Sequence, residues 1–176
     1  MSGYRWLPRY RTFGHRTTLQ FDSVAGEVTD APHATLEKER PDTSAEFAYC
    51  WYVSEGTVAP LLVDEIERLR EAVRVTRAQC PFGIDAWVVL PDHLHCVWTM
   101  PAGDADFPTR WRLIKTRFSR GLAVGRQRES HVARAERGIW QRRYWEHHIR
   151  DEDDYHAHVR YCWINPVKHG YVARPE

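Results

Sequence analysis

The spacing of apolar residues changes period several times along this chain. Residues 47–53 (FAYCWYV) form a compact apolar and aromatic run, which predicts a buried strand. After Pro60, Leu62, Ile66, Leu69 and Val73 recur at spacings of four, three and four. That is the period of an amphipathic helix, which must stop before Pro81. Residues 84–90 are β-rich, Pro91 and Asp92 are turn formers, and residues 93–100 predict the returning strand of a hairpin. On that strand His93, His95, Val97 and Thr99 share one face, and Leu94, Cys96, Trp98 and Met100 share the other. Residues 103–108 read as a loop. Trp111, Ile114 and Phe118 then mark a second helix, whose outer face is expected to carry Arg110, Arg112, Lys115, Arg117 and Arg120. Residues 121–138 are polar and basic and predict a loop, and 140–149 contain a further strand. Asp151 is placed to cap a last helix, with Asp154 completing the cap. Pro166 disfavours helical geometry at Asn165, so this helix is expected to end near Ile164.

The resulting order is strand, helix, strand, strand, helix, strand, with a helix appended. It predicts an α+β ferredoxin-like sandwich: an antiparallel sheet with helices on one face, plus a C-terminal helix. A length of 176 residues fits one domain with a real core. Residues 47–176 are its expected body. Residues 1–46 show no sustained period and read as an insertion or a partly disordered segment.

Composition narrows the function classes. Cys50, Cys80, Cys96 and Cys162 form no Cys-x-x-Cys pair, so neither a thiol redox motif nor a zinc ribbon is indicated. No run approaches the length of a membrane span, and no apolar leader opens the chain, so a reduced cytoplasmic protein is expected. The net charge of +1 conceals an asymmetry. Residues 22–71 hold 12 acidic and 4 basic side chains, whereas 109–150 hold 12 basic and 3 acidic. The basic half, which includes Arg142 and Arg143, predicts a surface for a polyanion.

Two constellations carry candidate chemistry. His93 and His95 project side by side from one strand, a rigid two-imidazole metal site in the making, although paired histidines also arise as packing or chance. Tyr161 and Asn165 lie four apart and share a helical face. A helical tyrosine is more often packing, and an asparagine before proline is more often a cap. Neither pair decides the matter alone.

Three stretches change the weighting: AWVVLPDHLHCVWTMP (86–101), DADFPTRWRLIK (104–115) and WQRRYWEHHIRDEDDYHAHVRYCWINPVKHGYV (140–172). From about residue 61 to 172 the chain resembles the single-tyrosine HUH transposases, specifically the REP-associated tyrosine transposases. HUH denotes histidine, a hydrophobic residue and histidine, here His93, Leu94 and His95. The resemblance implies that Tyr161 is the nucleophile and that His93, His95 and Asn165 ligate a divalent ion, Mg²⁺ or Mn²⁺. It further implies a single-stranded or hairpin DNA partner, an unpaired segment beside a repetitive extragenic palindrome hairpin, and a nucleoid-associated bacterial protein acting as monomer or homodimer. Tyr155 is the competing nucleophile but has no amide four residues on. His158, one turn before Tyr161, could orient the phenol, although a histidine there is more often a surface imidazole.

The implied reaction is coherent. A bound divalent ion draws charge from an anionic phosphodiester, and a free tyrosine with a pKa near ~10 needs help to become a nucleophile. Attack would leave a 5′-phosphotyrosine and a 3′-hydroxyl. Lys and Arg of the basic helix and loop would track phosphates, and aromatic rings would stack on splayed bases. Two other readings remain at this level: a catalytically impaired DNA-binding protein that keeps the fold, and a hydrolase that uses water with Tyr161 merely structural. The first forty-odd residues depart from the family pattern, which bears on activity more than on fold.

Overall fold

The computed structural model describes residues 12–13, 16–17, 19–20, 46–53, 60–124, 127 and 129–174. Its elements in chain order are β1 (Thr12–Phe13), β2 (Arg16–Thr17), β3 (Leu19–Gln20), β4 (Glu46–Tyr52), α1 (Leu61–Asp64), α2 (Ile66–Gln79), β5 (Gly83–Val89), β6 (His93–Thr99), α3 (Phe107–Ser119), α4 (Glu129–Val132), β7 (Trp145–His148) and α5 (Glu152–Lys168). The five-stranded sheet has the order β3-β5-β6-β4-β7, and every pairing is antiparallel. Without the two-residue edge strand β3, this is the ferredoxin-like order expected from the sequence. Residues 1–46, read from the sequence as an insertion or a partly disordered segment, contribute β1, β2, β3 and the first residue of β4; the others lie outside the described residues.

Alternation along β6 builds two cores, one on each side of the sheet. Leu94, Cys96, Trp98 and Met100 face α2 and α3, among Leu62, Leu69, Trp111, Ile114 and Phe118. Val97 faces the other way, toward Tyr155, Val159 and Cys162 of α5. The first core is rich in rings: Trp98 and Trp111 stack at 4.3 Å with planes 14° apart. Burial of each such side chain contributes about 1.5–3 kcal/mol. The appended helix α5 covers the opposite face, so the sheet lies between helical layers.

The hairpin that carries the histidines is pinned at its turn. Leu90 N–H donates to the His93 carbonyl at 2.8 Å, which closes the turn. Val53 N–H donates to the Asp92 carbonyl at 2.9 Å, and Leu62 N–H to that of Pro91 at 3.3 Å. Strand β4 and helix α1 thus hold the start of β6 in place.

Several local expectations need correction. The first helix is interrupted at Glu65, giving α1 and α2. The second begins at Phe107 rather than after 108, because Asp106 caps it by accepting from Thr109 N–H at 3.2 Å. Residues 121–138 are not wholly loop, since α4 forms one turn within them.

The largest correction concerns α5. It continues through Pro166 to Lys168 instead of ending near Ile164. A proline in the last turn removes only one backbone donor, and the carbonyls there are satisfied from beyond the helix. Gly170 N–H donates to Val167 O at 2.9 Å and Tyr171 N–H to Pro166 O at 2.9 Å, a Schellman closure. Gly170 takes the left-handed conformation this closure needs, with φ +70°. The N-terminal expectation holds: Asp151 accepts from Asp154 N–H at 2.8 Å.

Candidate active site

His93 and His95 are both nearly enclosed, at 3% and 8% exposure, and their rings meet at right angles 5.2 Å apart. Each is positioned by a neighbour. His93 Nδ1–H donates to Asp92 Oδ1 at 2.7 Å, which leaves the Nε2 lone pair free. A carboxylate behind a histidine in this way sets ring and tautomer for metal ligation. Tyr52 stacks on the other side of His93 at 4.8 Å. Nε2 of His95 lies 3.8 Å from Cys50 Sγ.

Burial pushes His93 below the ordinary imidazole range, against the pull of Asp92. Burial, reinforced by His93, His169 and Lys168, pushes His95 down to about 3. Both are neutral at neutral pH, the state a metal ligand requires. Burial likewise keeps Cys50 and Cys96 as thiols and pushes Cys162 up to about 12, so none competes as a thiolate.

Helix α5 supplies the facing wall. Tyr161 meets His95 edge to face at 5.1 Å, and His169 meets His93 at 4.9 Å. Asn165 lies one turn from each, so its side chain faces the same pair. It is 0% exposed, and among the described residues nothing hydrogen-bonds its Oδ1 or Nδ2. His93 Nε2 is equally orphaned. A buried unsatisfied polar group costs about 1–3 kcal/mol. The orphaned His93 Nε2 and Asn165 Oδ1, together with the neighbouring His95, offer two imidazole nitrogens and one amide oxygen as candidate donors to a cation.

The nucleophile candidate is accessible. Tyr161 is 37% exposed, and Lys168 Nζ donates to its hydroxyl oxygen at 3.1 Å. Tyr155 is buried in the second core at 7% exposure, which removes it as a competitor. Tyr52 is a rival phenol beside His93, but burial raises its pKa to about 12. His158 does not orient the phenol: its Nδ1 donates to the Asp154 carbonyl at 2.8 Å and its ring stacks on His147.

Sequence reasoning missed Asp92, Tyr52, Lys168 and His169 as members of this group. The signal for His169 was its place eight residues after Tyr161, on the same helical stripe. The expected end of the helix near Ile164 concealed it.

The basic side chains expected on the outer face of α3 divide. Arg112 and Arg120 are exposed there. Arg110 is not: it is 4% exposed, pairs with Asp104 at 2.6 Å and donates to the Pro81 carbonyl at 2.8 Å. The corner between α2 and β5 comes close enough to claim it. Arg117 turns inward to Thr76 Oγ1 at 3.0 Å. Lys115 lies over the Trp51 ring at 3.9 Å, and burial lowers its pKa to about 8. Arg142 pairs with Glu136 at 2.7 Å, and Arg143 is exposed.

An antiparallel ferredoxin-like sheet with a paired-imidazole strand beneath a tyrosine-bearing helix is the arrangement that the resemblance to single-tyrosine transposases leads one to expect. No family model matches the sequence. Two curated relatives do. The REP-associated tyrosine transposase of Escherichia coli (strain K12) is 46% identical over 114 residues, covering 65% of this chain and 62% of the relative. A protein of Haemophilus influenzae bearing the same family name is 40% identical over 116 residues, 63% of this chain and 64% of the relative. This chain therefore spans somewhat less than two thirds of the length of either. A solved structure of the REP-associated tyrosine transposase bound to a REP hairpin superposes with a TM-score of 0.61 at 41% identity, covering 73% of this chain and 70% of that one. The chain belongs to the REP-associated tyrosine transposase family.

Proposed function

We propose that this chain cuts and rejoins single-stranded or hairpin DNA through a 5′-phosphotyrosine formed at Tyr161, with help from a divalent ion. The observation that carries this reading is the edge-to-face meeting of Tyr161 and His95 at 5.1 Å, which sets the phenol beside the paired imidazoles. His93, His95 and Asn165 would hold the ion. When bound, it supplies Lewis acidity at the scissile phosphate and counter-charge for the transition state. Mixed nitrogen and oxygen donors suit Mn²⁺ at least as well as Mg²⁺.

The chain's own residues divide the remaining work. Tyr161 Oη gives its proton to solvent water as it attacks phosphorus, and the bond from phosphorus to the 3′-oxygen breaks. That oxygen takes up a proton from water and leaves as a 3′-hydroxyl. Lys168 stabilises negative charge gathering on Oη. Asp92 holds His93 in its ligating orientation. In rejoining, a 3′-hydroxyl attacks the phosphotyrosine, the bond to Oη breaks and Tyr161 recovers its proton. The covalent bond conserves the linkage energy, so no nucleotide cofactor is needed.

The choice of DNA hairpin rests on family membership and on the REP hairpin bound in the related structure. Exposed Arg112, Arg120 and Arg143 would meet phosphates. The test is incubation with labelled single-stranded hairpin DNA and Mn²⁺, followed by denaturing electrophoresis. A covalent adduct that disappears in Tyr161→Phe and survives in Tyr52→Phe is expected. Cleavage without an adduct would assign the chain to water-dependent hydrolysis, and binding without cleavage to the impaired DNA-binding reading.

A further inference from the structure

A second group of metal-binding side chains lies outside the site just described. His147 of β7 and Asp154 and His158 of α5 bring one ligand atom each to within 4.8 Å of one another. Asp154 and His158 are four residues apart, the spacing at which two side chains on one helix chelate a single ion. His147 reaches them from the neighbouring strand: its Nε2 is 2.7 Å from Asp154 Oδ2. Nδ1 of His158 is 3.2 Å from Asp154 Oδ1.

We propose that His147, Asp154 and His158 form a second, structural metal site for a borderline transition-metal ion such as Zn²⁺, which clamps β7 to the helix that carries Tyr161. Zinc–nitrogen and zinc–oxygen bonds of about 2.0–2.2 Å place tetrahedral ligand atoms roughly 3.3 Å apart. His147 Nε2 lies 2.7 Å from one Asp154 oxygen and His158 Nδ1 3.2 Å from the other, and all three ligand atoms lie within 4.8 Å of one another, so rotation of the side chains brings them to that spacing. Two imidazoles and one carboxylate are a zinc ligand set, with water completing the fourth position; magnesium, which prefers oxygen donors, is poorly matched. Ion binding would displace the proton that His147 shares with Asp154 and the one that His158 Nδ1 donates to the Asp154 carbonyl at 2.8 Å, and the stacked imidazoles, 4.7 Å apart, would turn to point at the ion.

Local charge favours a cation here. Asp151, Glu152 and Asp153 crowd the same end of α5. The present competitor is Arg150, whose Nε lies 3.2 Å from Asp154 Oδ2 and whose side chain is 73% exposed. A side chain so exposed can leave without burying an unpaired charge. The consequence for the fold is specific. Tyr161 lies one turn beyond His158, so an ion joining strand to helix fixes the part of α5 from which the phenol projects.

The test uses the full chain and Zn²⁺ alone, with bound zinc counted after equilibrium dialysis. Because His93 and His95 also take zinc, His93→Gln/His95→Gln is compared with His147→Gln and with His158→Gln. We expect the first variant to retain one equivalent. We expect the other two to lose one, their affinity at this site falling by more than the ~10-fold to 100-fold that loss of an outer partner costs. As a measurement that needs no variant, imidazole ¹⁵N spectra of the wild-type chain should show His147 Nε2 and His158 Nδ1 shifting as Zn²⁺ is added. Unchanged His147 and His158 resonances at saturating zinc, or no zinc retained by a folded His93→Gln/His95→Gln chain, would overturn the proposal. Adduct formation at Tyr161 is scored separately in Mn²⁺, so the two claims stand or fall independently.

Discussion

The phenol ring of Tyr161 sits edge-on to the imidazole of His95, 5.1 Å between centroids and 86° between planes, although the two residues are 66 positions apart in sequence. Two opposite-face cores and a proline-tolerant helix bring them together. The following outcomes are expected from the arrangement around them.

The Asn165 side chain hydrogen-bonds to nothing among the described residues, yet it is fully buried. Replacing an unsatisfied buried amide by an apolar side chain of like size is nearly neutral or stabilising. Asn165→Leu should therefore keep or raise the melting temperature without metal, while abolishing the rise that Mn²⁺ produces in the wild type. Thermal unfolding with and without Mn²⁺ checks both halves. A variant that still gains stability from Mn²⁺ would remove Asn165 from the ligand set.

Asp92 acts through His93, its Oδ1 2.7 Å from Nδ1. Asp92→Ala should weaken Mn²⁺ binding by about 10–100-fold. Calorimetric titration measures this. Undiminished affinity would mean that the imidazole needs no anchor.

The helical stripe of Tyr161, Asn165 and His169 shows how far the sequence could be read. Strict alternation on β6 assigned Leu94 and Val97 to opposite faces correctly, because a period of two leaves a strand no other choice, but the second core on the Val97 side was not legible. Asp151 was legible as a cap for the same local reason. The stripe was only half legible. The rule about proline sees the lost donor at Pro166 but not the carbonyls that Gly170 and Tyr171 satisfy from downstream. Arg110 was misplaced for a different reason. A helical period tells which residues share a face, but not that the Pro81 carbonyl and Asp104 would close over one of them.

That division of α3 predicts two classes of arginine effect. Arg112→Ala and Arg120→Ala should each weaken DNA binding and lower the slope of log affinity against log salt by about 1, with unchanged stability. Arg110→Ala should destabilise the fold by about 1–3 kcal/mol, since it removes the charge-assisted hydrogen bonds that tie the start of α3 to Asp104 and to the Pro81 carbonyl. Salt-dependent binding and urea denaturation separate the two. A large salt-slope change in Arg110→Ala would contradict its structural role.

Burial lowers the Lys115 pKa to about 8 from an ordinary value near ~10.4. Between those values the unfolded chain binds more protons than the folded one, so this residue's contribution to stability improves as pH rises from 8 toward 10. The stability advantage of Lys115→Met over the wild type should shrink over the same range. The ¹³Cε resonance of Lys115 should titrate with a midpoint near 8. A midpoint near that of an exposed lysine would show that the cation held over Trp51 is not desolvated.

The most direct measurement is to trap the adduct with labelled hairpin DNA in Mn²⁺, digest the protein and sequence the phosphonucleotide-bearing peptide by mass spectrometry. The account predicts a single modified residue, Tyr161, joined to a 5′-phosphate. Modification of another tyrosine, or efficient cleavage with every tyrosine unmodified, would contradict it.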